Sequence, residues 1–399
     1  MHLAHLALTD VRSFRRLDID LAPGIYVIAG ENAVGKTNLL ESVAMLATTK
    51  SIRSGPDLDL IAWQALAEDP LPVARLEADV ETAAGRRSLE VAVIAQVVVA
   101  GVPATRAGKR FRVNGVARRA TDLIGQLRVV MFAADDLTII DGPPVNRRRY
   151  LDLTISQLDP AYLRALQRYA RVLEQRNSLL RRLQERGGRG LDQLDFWDDE
   201  LSAAGALILA RRAESVRALA RDAAERYAEL AATTEETLEI SYLPGVPAPV
   251  VEALREHDLQ AQLRAALEAG RVEDVRRGIS RIGPHRDDLA FLIAGHPAGM
   301  TSSRGQQRSA ALALRLAEVA LSTRRTGDPP ILLLDDILSE LDPRRRERIL
   351  SVAYGVDQVL ITTPDEDRPS REELPRARRM RLEGGALTPI GSPEAPQTS

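Results

Sequence analysis

The residues best suited to chemistry lie in two groups at opposite ends of the chain. Gly30-Glu31-Asn32-Ala33-Val34-Gly35-Lys36-Thr37 fits G-x-x-x-x-G-K-[ST], with the apolar run Ile25–Ala29 before it and a helical pattern after it. A glycine-rich loop at a helix N-terminus aims backbone N–H groups at phosphate oxygens. In such a loop Lys36 reaches the β- and γ-phosphates of ATP, Thr37 ligates Mg2+, and Asn38 follows at the helix start. The second group is Asp335 and Asp336, directly after the apolar run Ile331–Leu334. A buried run places both acids at a strand end. Asp335 is then the magnesium carboxylate, and Asp336 the group that polarises the attacking water. Alone, either group is a glycine turn or a pair of surface acids; together they form the two halves of an ATP site.

Between and after these groups stand two further segments. Ser303-Arg304-Gly305-Gln306 opens a helical pattern, with Ser303 as its natural N-cap. Such a helix end favours an anion. By itself this is an ordinary capped helix. Its order, ahead of the Asp335 strand and then Ser339-Glu340-Leu341-Asp342, is that of ATPases of the ABC class. There the helix end faces the γ-phosphate held by the other subunit, ATP joins two heads, and the Ser339–Asp342 segment lies at the same seam.

The phosphate loop and its acids sit far apart in sequence, so the chain must fold back to bring them together. The expected fold is α/β, an ABC/SMC-type P-loop ATPase head with a mainly helical second domain inserted between its halves. Residues 1–152 and 279–384 form the head, 153–278 a short antiparallel helical arm, and 385–399, rich in Pro, Gly, Ser and Thr, a disordered tail. Residues 2–29 read as a strand pair and a core strand, and about 36–47 as a helix. Residues 70–132 read as strands with turns near Ala84-Gly85, Ala107-Gly108 and Asn114-Gly115. From Asp159, Leu163, Leu166, Ala170, Leu173, Asn177, Leu180 and Gln184 recur at helical spacing, broken by Gly187, Gly188 and Gly190. A second run, about 194–230, puts Trp197, Leu201, Ala204, Ile208, Leu219, Ala223 and Tyr227 on one side. Two such helices pack as an antiparallel arm, kept short by Asn177 and Gln184 in its seam. A strand near Leu238–Tyr242, a helix near 250–268, a helix over 303–321 and strands at Ile331–Leu334 and Gln358–Thr362 complete the pattern, with a return to the head around Ile279.

Composition narrows the class. The chain has 399 residues and is 45% apolar and 28% charged, enough for two or three packed domains. With a net charge of −2 it is no general polyanion binder, so any nucleic-acid contact must be local. It has no cysteine, which excludes disulfides and thiolate metal sites and fits a cytoplasmic setting. No segment reads as a signal peptide or membrane span. Of only three lysines, Lys36, Lys50 and Lys109, one stands in the phosphate loop, where a compact ammonium fits between oxygens better than a guanidinium. From Arg147 to Arg189 there are eleven arginines against four acids. Arg164, Arg168, Arg171, Arg182 and Arg186 share a face opposite the leucine seam, a stripe suited to duplex phosphates or simply to solvent. Arg147, Arg148 and Arg149 either join it or serve the head.

Taken together these motifs resemble the RecF family, bacterial recombination and repair ATPases related to SMC heads. The resemblance runs over roughly residues 3–365. It is carried also by Asp135–Asp152, Leu173–Arg181, Gly283–Leu289 and Val11–Phe14, and Arg12 falls where the family has an arginine near the nucleotide. Ala134 replaces the usual proline before Asp135, and Ser302 the leucine that opens the signature. Transporter ATPases have a glutamate at Asp336 and a histidine where Thr362 and Thr363 stand, and without that histidine slow hydrolysis is expected. The resemblance implies an ATP-dependent homodimer, binding to DNA at gaps or single-strand/double-strand junctions, and work with RecO and RecR in loading RecA. An ABC-transporter ATPase subunit is the alternative. It predicts a shorter insert, a coupling loop and that histidine, none of which the sequence has.

Overall fold

Three sheets and a set of long helices are read from a computed structural model, which describes residues 1–51, 55–96, 105–231, 236–248, 258–366 and 369–390. The chain divides into two compact units, Met1–Asp136 with Glu318–Ser399, and Leu137–Ala317. These boundaries differ from the expected 153 and 279.

The first unit is built around one helix, α1 (Lys36–Thr48). Strands β1 (His2–Val11), β2 (Phe14–Asp20), β4 (Val73–Thr82), β5 (Gly85–Gln96), β6 (Arg106–Val113) and β7 (Val116–Arg118) form an antiparallel sheet in the order β2-β1-β4-β5-β6-β7. The second sheet runs β15-β14-β3-β13-β12-β8, from β3 (Gly24–Ala29), β8 (Val129–Phe132), β12 (Ile331–Asp335), β13 (Gln358–Thr363), β14 (Arg378–Glu383) and β15 (Ala386–Pro389). Apart from β15 its neighbours pair in parallel. Helix α1 shares one core with side chains of both sheets, which is why Leu39, Leu40, Val43, Ala44, Met45, Leu46 and Ala47 are all buried. The runs Ile331–Leu334 and Val359–Ile361 are apolar throughout because both faces of these strands are covered.

Two local expectations fail in this unit. Ala107-Gly108 is no turn but lies within β6, where Gly108 pairs with Ile94. That strand is half exposed and polar, so it lacked an apolar alternation to mark it. Residues 386–389 pair with β14 and are not a loose tail; residues 391–399 lie outside the described set.

The second unit packs α2 (Pro144–Leu158), α3 (Pro160–Glu185), α4 (Asp195–Leu230) and α5 (Leu259–Arg277) with the small sheet β11-β10-β9, from β9 (Leu238–Leu243), β10 (Asp288–Ile293) and β11 (His296–Pro297). Asp159 caps α3, its Oδ1 accepting from the N–H of Ala161 and Tyr162. The buried residues of α3 are Tyr162, Leu163, Ala165, Tyr169, Val172, Arg176, Leu179, Leu180 and Leu183, so Leu163 and Leu180 of the predicted stripe are buried, while the rest of the buried face lies one position ahead of it. Polar-tipped residues hid it, because each is buried against a partner. The two helices of the expected arm, α3 and α4, pack on one another, and α5 adds a third that packs on both. The polar seam residues meet its C-terminal end: Gln184 donates to the carbonyl of Arg276, and Asn177 accepts from the N–H and hydroxyl of Ser280. The helix near 250–268 begins at Leu259 and runs to Arg277; residues 249–257 lie outside the described set. Residues 279–317 stay with this unit, because β10 pairs with β9 and Arg147 of α2 holds Asp288. Helix α6 (Arg304–Thr326) starts in the second unit and ends in the first.

Candidate nucleotide site and its companion segments

The phosphate loop leaves β3 at Gly30 and enters α1 at Lys36. Close packing dictates its glycines. A side chain at Gly30 would put Cβ 2.7 Å from the carbonyl oxygen of Leu382. One at Gly35, whose φ is 110°, would put it 2.3 Å from Ser13 Oγ. Ala33 is also left-handed, at φ 69°. Glu31, Asn32 and Ala33 are exposed, Val34 half-buried. Lys36 is buried and its ammonium donates to the carbonyls of Gly30, at 2.5 Å, and Glu31, at 2.8 Å. Burial lowers its pKa, and the nearby charges of Asp336 and Asp335 work the other way. Ser13 and Arg12 approach the same helix from the β1–β2 turn. Asn38 donates to Ser13 Oγ at 3.0 Å, and Arg12, at φ 53°, donates to the buried Glu41 at 3.2 Å.

Asp335 ends β12. The strand order shows that β13 lies between it and β3, so the acids and the loop are not on adjacent strands. They nevertheless meet: the Thr37 hydroxyl donates to Asp335 Oδ1 at 3.1 Å. A hydroxyl and a carboxylate converging beside a lysine fit Mg2+, which takes oxygen ligands and is usually held by one or two protein groups plus phosphate. Asp336 follows at φ 52°, with Ser339 Oγ 2.7 Å from its carbonyl and 3.0 Å from Oδ1. Sequence reasoning passed over Thr362 as a contact. Its hydroxyl lies 2.9 Å from Asp335 Oδ1 and accepts the Asp336 N–H at 3.1 Å. The one available signal was its place where transporters have histidine.

The segment Ser339–Asp342 closes the short turn Ile337–Glu340 and leads into α7 (Pro343–Ala353). Ser339 is exposed, Leu341 buried, and Asp342 caps α7 by accepting from Arg345 N at 3.1 Å. In the second unit, Ser303 Oγ accepts from Gln306 N at 3.2 Å while Gln306 Oε1 accepts from Ser303 N at 2.9 Å. This reciprocal pair is a capping box at the start of α6. Ser303 and Arg304 are exposed, Gly305 half-buried, and Arg304 reaches Asp141 at 2.7 Å.

The basic segment divides. Arg147 makes two bonds to Asp288, and Arg148 donates to the carbonyl of Asp287, so both serve the fold. Arg149 also has internal interactions. Arg168 forks onto Glu200, and Arg171 donates to Gln167. Arg164, Arg182 and Arg186 are exposed and make no ion pair among the described residues. The positive stripe is therefore narrower than its sequence.

Fold and site define a class, the SMC/ABC-type P-loop ATPase heads. Residues 2–373 match the family model described as the RecF/RecN/SMC N terminal domain. The DNA replication and repair protein RecF of Chloroflexus aggregans is 45% identical over 97% of this chain and 99% of its own length. That of Herpetosiphon aurantiacus is 44% identical over 98% and 100%. A solved structure of the recombination mediator protein RecF-ATPrS in the RecFOR pathway matches with TM-score 0.82 and 28% identity over 98% of each chain. An Smc head matches in fold alone, at TM-score 0.52 and 14% identity. The chain belongs to the RecF family of ATP-binding DNA replication and repair proteins. The transporter alternative is not favoured.

Proposed function

We propose that this chain is an ATP-switched DNA clamp of recombinational repair. ATP with Mg2+ binds between Lys36, Thr37 and Asp335, and Ser303–Gln306 of a second copy caps its γ-phosphate. Two heads then close on duplex DNA near a gap or junction, and slow hydrolysis assisted by Asp336 releases it. Ser339–Asp342 line the same seam. The protein acts in the cytoplasm with RecO and RecR, preparing DNA for RecA; the RecF structure assigned to the RecFOR pathway supports this setting. Arg164, Arg182 and Arg186 are the best candidates to meet phosphates, with little sequence preference. No helix among the described residues is long and apolar enough to cross a membrane.

The observation that carries the paired-head reading is the exposed, box-capped N-terminus of α6. Its backbone is ordered for a helix start while Ser303 and Arg304 face outward. Light scattering with ATP and Mg2+, with and without gapped duplex DNA, tests it. The expected result is an ATP-driven doubling of mass that holds DNA, lost in Ser303→Arg while that variant still binds ATP. A mass indifferent to ATP, or a Ser303→Arg dimer, overturns the reading.

A further inference from the structure

We infer that Thr362 is a positioning residue for the acid pair Asp335–Asp336. Strand β13 lies between the phosphate-loop strand and the acid strand, and at its end Thr362 pairs with Ile28 on one side and Asp335 on the other. The residue is 1% exposed, so its hydroxyl must find partners inside the protein. It finds both acids. Its oxygen accepts the N–H of Asp336 at 3.1 Å and its hydrogen faces Asp335 Oδ1 at 2.9 Å. The Leu334 carbonyl, at 3.3 Å, competes for that hydrogen, but a nearer, charged acceptor forms the stronger bond.

Two consequences follow from this one hydroxyl. Together with Thr37 it fixes where Asp335 Oδ1 points, since both hydroxyls converge on that atom. It also anchors the backbone of Asp336, which sits in the left-handed region at φ 52°. That conformation is disfavoured for a non-glycine residue and persists only where surroundings hold it. Threonine is an ordinary strand residue, and packing alone would be served as well by valine. Valine would leave the Asp336 N–H and the Asp335 carboxylate each short of one partner. Groups that hydrogen-bond a metal's carboxylate ligand typically change metal affinity or activity about 10–100-fold when removed.

The inference rests on the assignment of Asp335 to Mg2+, and the experiment separates the two. Binding of a fluorescent ATP analogue is titrated with Mg2+ for the unaltered protein and for Thr362→Val, Thr362→Ser and Asp335→Asn, alongside steady-state ATPase. Thr362→Val is expected to raise the Mg2+ midpoint about tenfold or more and to lower kcat, with KM for ATP at saturating Mg2+ little changed. Thr362→Ser, which keeps the hydroxyl, is expected to restore both. A normal midpoint and kcat in Thr362→Val overturn the inference. So does a Thr362→Ser variant that is folded but as impaired as valine or alanine at this position, because the methyl group would then be what matters. Should Thr362→Val not fold, Thr362→Ala takes its place against serine. If Asp335→Asn leaves the Mg2+ midpoint unmoved, the metal assignment itself fails.

Discussion

The two units use charge in opposite ways. In the second, charges are buried against one another. Arg176 and its partners Asp198 and Asp274 are each 0% exposed, Arg271 bridges Asp198 and Asp195, and Arg212 joins Asp287, Asp152 and the Pro284 carbonyl. Each guanidinium fork ties together elements far apart in sequence, which a point charge could not do as well. Around the proposed nucleotide site of the first unit, Lys36 and Arg12 are less fully paired with acids. Lys36 holds two loop carbonyls, and Glu41, which takes Arg12, has one buried oxygen without a partner. The segments that carry the family resemblance thus divide by role. Lys36 and Asp335 are the residues proposed to take a ligand, whereas Arg176, within Leu173–Arg181, ties α3 to α4 and α5, and Asp287, within Gly283–Leu289, ties α4 to β9 through Arg212 and Tyr242.

The sharpest way to break this comparison is Arg176→Met. If the buried arginine is structural, removing it takes one partner from each of two buried carboxylates, leaving Asp198 with Arg271 and Asp274 with Arg281, and costs about 3–5 kcal/mol of stability. Urea unfolding measures this directly. Arg176→Lys should recover little, because an ammonium cannot reach Asp198, Asp274 and Ser280 in one fork. Unaltered stability with weakened DNA or nucleotide binding would move Arg176 from the structural to the functional side.

Lys36→Met gives the mirror image. ATP affinity should fall about a hundredfold, ~3 kcal/mol, because a charge-assisted contact to phosphate is lost. Unfolding in the absence of nucleotide should move far less than for Arg176→Met, since Lys36 donates only to two carbonyls of its own loop. Equilibrium binding of a fluorescent ATP analogue, paired with urea unfolding of the free protein, checks both halves. Unchanged binding would remove Lys36 from the phosphate site.

The same contrast explains what could be read from the sequence. The first unit was legible because its signals are local: Gly30–Thr37 with its flanking strand and helix, and an apolar run ending at Asp335. The second unit was legible as helices but not as an assembly. Its buried stripe includes Arg176, and its seam includes Asn177 and Gln184, which periodicity counts as polar and therefore as outward or as defects. Their partners, Asp198, Asp274, Ser280 and Arg276, lie far along the chain, and nothing local announces them. Helix α2 was missed for a related reason, since Arg147 and Arg148 look like surface charge until Asp288 and the Asp287 carbonyl are seen beside them. Thr362 was hidden differently. A threonine in a strand is unremarked until its neighbour across the sheet is known to be Asp335.

The last expected effect concerns His285, within the Gly283–Leu289 segment. It is buried between Tyr169, whose hydroxyl is 2.7 Å from Nδ1, and the Ser280 carbonyl, 2.9 Å from Nε2. A carbonyl only accepts, so Nε2 carries the hydrogen and Nδ1 accepts from the tyrosine, a neutral ring with both nitrogens satisfied. Burial lowers its pKa from 6.5 to about 4, assisted by the positive charges of Arg286, Arg148 and Arg176, while the Ser280 bond acts in the opposite direction. The unfolded chain therefore takes up a proton first as pH falls. Stability from this group is complete above pH 6.5, declines below it, and is gone near pH 4. The loss is on the order of 3 kcal/mol. His285→Asn should be less stable at neutral pH, having lost the ring, yet show a flatter decline across that window in urea unfolding. Parallel slopes for the two proteins would mean that His285 is charged in the folded state, and that the interior of the second unit is wetter than its paired arginines imply.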